Sequence, residues 1–216
     1  MHSYCYSFQK SNSKVNDRGG WCKHASKEDG GHHNTDKILL VHLSEFLKGK
    51  RVASFGDGPG AYKRELTKLG QVQSYDAYDG SPYCEETSRG LVKFLDLSIP
   101  QYGLPFYDWI VSLEVAEHIP SQFESVYLDN VFRHAREGII LSWAVPGQNG
   151  LSHVNNKPLD YVIDVMKANG FLRDEILSTK LQKLANLWAF RTHLYVYVRN
   201  SYPKQHNESI LTKWYT

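Results

Sequence analysis

The stretch Arg51 to Leu66, RVASFGDGPGAYKREL, limits the folds open to this chain more than any other. A short apolar run meets three glycines at alternate positions, Gly56, Gly58 and Gly60, and leaves through a segment patterned as a helix. Glycine lets the backbone turn sharply there and lets a bound group approach the main chain. Strand, glycine turn and helix in that order open a βαβ unit, the context in which such glycines count as a binding turn. The spacing is G-x-G-x-G, not the G-x-G-x-x-G of dinucleotide sites, so the turn suits a ligand without a pyrophosphate.

The same alternation recurs downstream. Thr35 or Asp36 can cap a helix whose apolar face is Leu39, Leu43, Phe46 and Leu47, stopped by Gly49. After the glycine turn, Tyr62, Leu66 and Leu69 share one helical face, ended by Gly70. QVQSYDAY reads as a strand, and DGSP turns into a short helix with Ser81 as its cap and Pro82 at its first position. LVKFLDL and YDWIVSL read as two more strands, followed by a helix from about Gln122 to Ala135. GIILSW is a buried strand, LDYVIDVMKANG a helix with Leu159, Val162, Ile163 and Met166 inward, and HLYVYVR the last strand. The chain before HLYVYVR looks irregular, with little room for another crossover helix, so that strand is expected to run antiparallel. The pattern predicts an α/β fold, a mainly parallel sheet with helices on both faces. Ligands of such sheets bind beyond the carboxyl ends of the strands.

Composition sets bounds on this reading. At 216 residues with 41% apolar and 22% charged side chains, the chain can form one folded domain with a real core. A net charge of +2 argues neither for nor against an anionic partner, but no dense Lys/Arg stripe reads as a nucleic-acid footprint, and no nucleic-acid partner is expected. No apolar run could cross a bilayer, and MHSYCYSFQKSNSK lacks the apolar core of a signal peptide. Three widely spaced cysteines suit a reducing compartment, so the cytoplasm is expected. Residues 1–35 read as a polar arm or lid, 36–200 as the domain and 201–216 as a polar tail. The arm offers Cys22, His24, His32 and His33, but their spacing matches no usual structural zinc site, and no metal is expected.

Three further acidic positions stand where successive strands end. Asp79 falls at the tip of the second strand, where a carboxylate can accept both hydroxyls of a ribose, with Asp76 as a competitor. Asp96, in FLDLS, can accept from an exocyclic amine. YDWIVSLEVAEHIP runs from a strand into a loop bearing Glu114 and His118. Taken singly, these are also ordinary turn and helix-capping residues.

The order G-x-G-x-G, strand-end Asp, DLS, then D-x-I-V-x-x-E-V-x-E-H resembles the class I S-adenosylmethionine-dependent methyltransferases, from about Thr35 to Arg199. The runs SLEVAEHIP and LSWAVPGQNGLSHVNN resemble a little-characterised branch of methyltransferase-like proteins. The resemblance implies a Rossmann-like sheet of seven strands with an antiparallel last strand. It implies that Gly56, Asp57, Gly58 and Gly60 contact the methionine part and the ribose of S-adenosylmethionine. Asp79 would take the ribose hydroxyls, Asp96 and Leu97 the adenine, and Leu113 and Glu114 the edge beside the sulfonium. One departure stands out: the family usually has an acidic residue two before the first glycine, and here it is Ser54.

Methyl transfer from a sulfonium mostly asks for alignment, a dry cavity and a base where the acceptor has a proton to lose. His118 and His153 are the candidate bases, each with packing or turn chemistry as its plainer explanation. Asn155 and Asn156 beside His153, together with Trp143 and His33, are candidate contacts to the acceptor. A compact chain without an inserted recognition domain points to a small-molecule acceptor and an O, N or S nucleophile. The alternatives are methylation of a protein side chain, or a nucleoside-binding module without catalysis, for which Ser54 is the support.

Overall fold

The structure is a computed structural model and describes residues 14–23, 25 and 33–200. His24 and His32, and with them the zinc reading of the arm, lie outside the described residues, as does the tail from 201 onward. The elements run α1 (Lys37–Phe46), β1 (Arg51–Phe55), α2 (Ala61–Leu69), β2 (Ser74–Asp79), α3 (Cys84–Thr87), β3 (Lys93–Phe94) and β4 (Tyr107–Leu113). There follow α4 (Glu124–His134), β5 (Ala135–Ser142), α5 (Leu159–Ala168), β6 (Phe171–Asp174), α6 (Glu175–Leu184), α7 (Trp188–His193) and β7 (Leu194–Arg199).

Seven strands form one sheet in the order β3-β2-β1-β4-β5-β7-β6. β1 to β5 pair in parallel, while β7 pairs antiparallel with both β5 and β6. This is the expected Rossmann-like sheet with an antiparallel final strand. Neighbouring residues on a strand feed opposite faces: Ile139 packs with Phe55, Tyr127, Met166 and Phe171, whereas Ile140 packs with Leu39, Leu43, Leu66 and Phe190. Helices α4 and α5 therefore cover one face and α1, α2, α6 and α7 the other, and burying each such side chain is worth roughly 1.5–3 kcal/mol.

Asp36, not Thr35, caps α1. Its Oδ1 accepts from the N–H groups of Ile38 and Leu39, and its Oδ2 accepts from Asn186 at 2.6 Å and Leu187 at 2.7 Å. One carboxylate thus starts α1 and pins the turn into α7.

Four expectations need correcting. The stretch before β7 is not irregular: it holds β6, α6 and α7, and Asp174 caps α6 by accepting from the N–H of Leu177. FLRD is too short to show a period, and the polar face of EILSTKLQKL hides its apolar stripe. Of LVKFLDL, only Lys93 and Phe94 pair as strand. Ser81 does not cap the helix that follows; its hydroxyl donates to the Trp21 carbonyl at 2.6 Å, and the helix begins at Cys84. Leu69, read as inward, is 40% exposed, because it follows the last buried turn of α2.

Candidate functional site

A cavity of about 930 Å3 opens beyond the carboxyl ends of β1, β2 and β4, where the strand order reverses. One end is the glycine turn. The N–H groups of Gly56 and Asp57 both donate to the Tyr78 carbonyl, and Gly58 donates to Asp79 Oδ2 at 2.8 Å. Asp79 Oδ1 accepts from Ser81 N–H at 2.7 Å, so the carboxylate is held by two backbone groups at the cavity wall. Gly56 and Gly58 adopt φ of +98° and +61°, the region that favours glycine. A Cβ on Gly56 would lie 2.2 Å from Val115, and one on Gly58 would lie 2.5 Å from the His33 ring. Bareness at these two positions therefore also admits side chains of the protein itself.

Asp57 turns beneath this loop. It is buried, accepts from Tyr75 Oη at 3.1 Å and from Lys63 N–H at 3.3 Å, and stands beside Ser54. Burial pushes its pKa up to about 7 against the pull of the Ser54, Lys63 and Tyr75 hydrogen bonds, with the Asp79 charge adding to the rise. The acidic group absent at position 54 thus has a carboxylate next to it.

Asp96 lies farther along the same wall, with Leu97. It accepts from the Ser98 N–H and hydroxyl, and Arg18 Nη1 reaches it at 2.9 Å. The described part of the arm lies across the strand ends. Gly20 sits against the Gly80 carbonyl and Gly19 against that of His118, at 2.4 and 2.2 Å from where a Cβ would stand. Trp21 packs on His33 with ring centroids 4.5 Å apart and planes tilted by 35°, and both line the cavity.

The other end is built by the turn after β4 and the loop after β5. Glu114 has φ of +53°, unusual for a side chain of its size, and its N–H donates to Ser142 Oγ at 2.7 Å. Glu114 Oε2 accepts from Gln148 Nε2 at 2.8 Å, while its buried Oε1 has no partner among the described residues. The N–H groups of Val154 and Asn155 donate to the Glu117 carbonyl, which zips the two segments together. His118 and His153 meet edge to face, with ring centroids 5.0 Å apart. Burial lowers the His118 pKa to about 4, helped by the neighbouring His153 and His33 rings and only partly opposed by backbone contacts at Ser152 and Leu151.

Of the residues read from sequence, Gly56, Asp57, Asp79, Asp96, Leu97, Leu113, Glu114, His118, His153 and His33 line this cavity. Gly58 and Gly60 shape the turn behind it; a Cβ on Gly60 would crowd Val92 at 3.1 Å. Trp143, Asn155 and Asn156 do not face it. Trp143 Nε1 donates to the Asn155 carbonyl, Asn155 Nδ2 donates to Glu124, and Asn156 Nδ2 donates to the carbonyls of Val145 and Gln148. Those amides brace the loop that carries His153, because their polar atoms are needed to close its backbone. Glu124 anchors the brace, taking hydrogen bonds from Tyr161, Asn155 and Lys157. Burial opposes its ionisation, but those three donors win and hold its pKa below the usual range.

Sequence reading missed Arg18 and Glu117. Arg18 carries no local signal, since its partner lies 78 residues away. Glu117 did have one: Glu114, Glu117 and His118 stand at i, i+3 and i+4, which places all three on one side of a helical turn.

No protein-family model matches the chain, and no curated protein matches it. Solved structures do. Magnesium protoporphyrin IX methyltransferase from Synechocystis, with bound S-adenosylhomocysteine, aligns at a TM-score of 0.55 and 16% identity over 78% of this chain and 90% of its own. The N-methyltransferase NodS from Bradyrhizobium japonicum, also with S-adenosylhomocysteine, aligns at 0.53 and 14% identity over 75% and 84%. The methyltransferase domain of bacterial CtHen1 aligns at 0.53 and 15% identity over 76% and 95%. The chain therefore carries the Rossmann-like fold of class I methyltransferases, with its cavity at the switch point of the sheet.

Proposed function

We propose that the protein transfers a methyl group from S-adenosylmethionine to an O, N or S nucleophile of a small-molecule acceptor. The observation that carries this reading is Asp79. It stands at the end of β2, fixed by Gly58 and Ser81, beside a glycine turn at the mouth of the cavity. Two carboxylate oxygens accept four hydrogen bonds in all, so two remain for a ribose. Asp96 keeps one such position after Ser98 and Arg18 are counted, enough for an exocyclic amine. Asp57 takes the part that an acidic residue at position 54 would play, ordering the glycine turn from below.

The bound donor supplies a methyl group already activated on a sulfonium. The protein supplies alignment and exclusion of water, and effective molarity from orientation can account for roughly 7–11 kcal/mol of the barrier. The cavity lies near the upper end of the roughly 300–1,000 Å3 usual for ligand sites, which leaves space for donor and acceptor together. The acceptor belongs at the end bearing Glu114, His118 and His153.

Calorimetric titration with S-adenosylmethionine and S-adenosylhomocysteine tests the reading, and absence of binding to either overturns it. A metabolite-extract screen with methyl-labelled donor then identifies the acceptor by the mass of the labelled product.

A further inference from the structure

Glu117 is fully buried against the Glu114 carboxylate and the backbone at Ala144, yet neither of its oxygens has a well-formed hydrogen bond from any described residue. A buried carboxyl without donors is costly, and folded proteins keep one where something else satisfies it. Its surroundings name that something. His153 Nε2 lies 4.0 Å from Glu117 Oε1, and one donor atom each from Glu117, His118 and His153 falls within 4.8 Å of the others.

Both rings are oriented for lone-pair donation. His118 Nδ1 lies 3.3 Å from the Ser152 carbonyl and His153 Nδ1 lies 3.2 Å from that of Gln148. A carbonyl oxygen only accepts, so each Nδ1 carries the hydrogen and each Nε2 presents a lone pair. Metal-bound imidazoles are fixed in this way, with the outer N–H given to a carbonyl or carboxylate. Glu114, three residues before Glu117, adds another buried oxygen, Oε1, without a partner among the described residues.

We propose that Glu117, His118 and His153 hold one divalent first-row transition cation, with Glu114 beside it. Atoms bound about 2.1 Å from a common ion stand about 3–4 Å apart, so small side-chain rotations close the cluster around it. Two imidazoles with carboxylate oxygen suit Mn2+, Fe2+, Co2+ or Zn2+, whereas Mg2+ and Ca2+ prefer all-oxygen shells. His118 and His153 line the cavity, so the ion's open side faces the acceptor end. There it would bind the acceptor's oxygen or nitrogen and orient it. That last role rests on the methyl-transfer reading; the cation site itself does not. A pair of catalytic bases explains the two Nε2 lone pairs but leaves the Glu117 carboxylate unexplained. The cation accounts for all three.

The test uses metal-free full-length protein titrated with Co2+ alone and followed by its visible d–d absorption. One equivalent should bind with the bands of nitrogen and oxygen ligation. Glu117→Gln and His153→Gln should each weaken Co2+ binding by more than about tenfold, while His42→Gln, on α1, should leave it unchanged. Near-UV circular dichroism checks each variant's fold; if Glu117→Gln does not fold, His153→Gln decides. Wild-type protein that binds no Co2+, or variants that bind it as tightly as wild type, overturns the proposal. S-adenosylhomocysteine binding is measured on the same samples. Its loss with Co2+ binding intact would sink methyl transfer and leave the cation site standing.

Discussion

Asp79 and Glu117 both bring a carboxylate to the carboxyl edge of the sheet, and the protein treats them in opposite ways. Asp79 takes N–H groups from Gly58 and Ser81, and Asp96 beside it takes Ser98 and Arg18. Among the described residues Glu117 takes none, and Glu114 leaves one oxygen bare. The glycine-turn end is thus finished before any ligand arrives, its acceptors aimed by backbone that the fold fixes anyway. The histidine end is finished only by what binds there. Pre-organisation of this kind favours tight, uniform recognition at the first end and selectivity at the second.

The largest effect should come from the finished end. Asp79→Ala removes the partner of Gly58 N–H and the proposed ribose acceptor together. At about 1.5–3 kcal/mol for each hydrogen bond to a charged group, donor affinity should fall about 100-fold or more. Calorimetry that finds affinity within a few-fold of wild type would show that the ribose sits elsewhere.

Gly150→Ala probes the other end. A Cβ there would fall 1.9 Å from His153 Nε2, so the ring must swing away. Turnover should drop about tenfold or more, with donor affinity unchanged. Parallel loss of both would dissolve the distinction between the two ends.

The ends should also differ in the sign of their pH dependence. Asp57 rises from 3.8 unfolded to about 7 folded, so its contribution is intact below about pH 4 and is lost as pH climbs to 7. His118 falls from 6.5 to about 4, so its contribution is intact above about pH 6.5 and is lost as pH drops toward 4. Each group adds at most about 1.4 kcal/mol per pH unit. Denaturant unfolding of metal-free protein across pH 4–8 should therefore show opposite slopes over the shared window of about pH 4–6.5, with Asp57→Asn removing a decline as pH rises and His118→Gln removing a decline as pH falls. Equal slopes in both variants would contradict this.

The smallest change is expected from Arg18→Gln. Its pair with Asp96 has a half-exposed guanidinium, and such bridges are worth about 0.2–1 kcal/mol. Donor affinity should move less than about fivefold, and less still in high salt.

The two ends also differed in how well the sequence announced them. Strands β1, β4 and β5 carry apolar runs, β2 sets Tyr75, Ala77 and Tyr78 among polar residues, and the glycine spacing is local, so these strands and the finished end could be read residue by residue. β6 and α6 could not, since four residues set no period and α6 buries only Ser178 and Leu181. Trp143, Asn155 and Asn156 looked like ligand contacts because polar groups near a strand end look alike until their partners are known. All three turned out to be tied to the loop's own backbone or to Glu124. Glu117 was overlooked for the converse reason: its spacing to Glu114 and His118 was legible, but its burial is a property of the fold and leaves no trace in composition.

The contacts of the arm carry one more consequence, for the order in which the molecule assembles. Trp21 is held by Ser81, 60 residues on, and Arg18 by Asp96, 78 residues on. Gly19 rests on His118, later still. Such contacts come after the local ones, because the chain between must first be gathered at an entropic cost. The arm, which precedes the sheet along the chain, is therefore expected to dock after the walls of the cavity have formed.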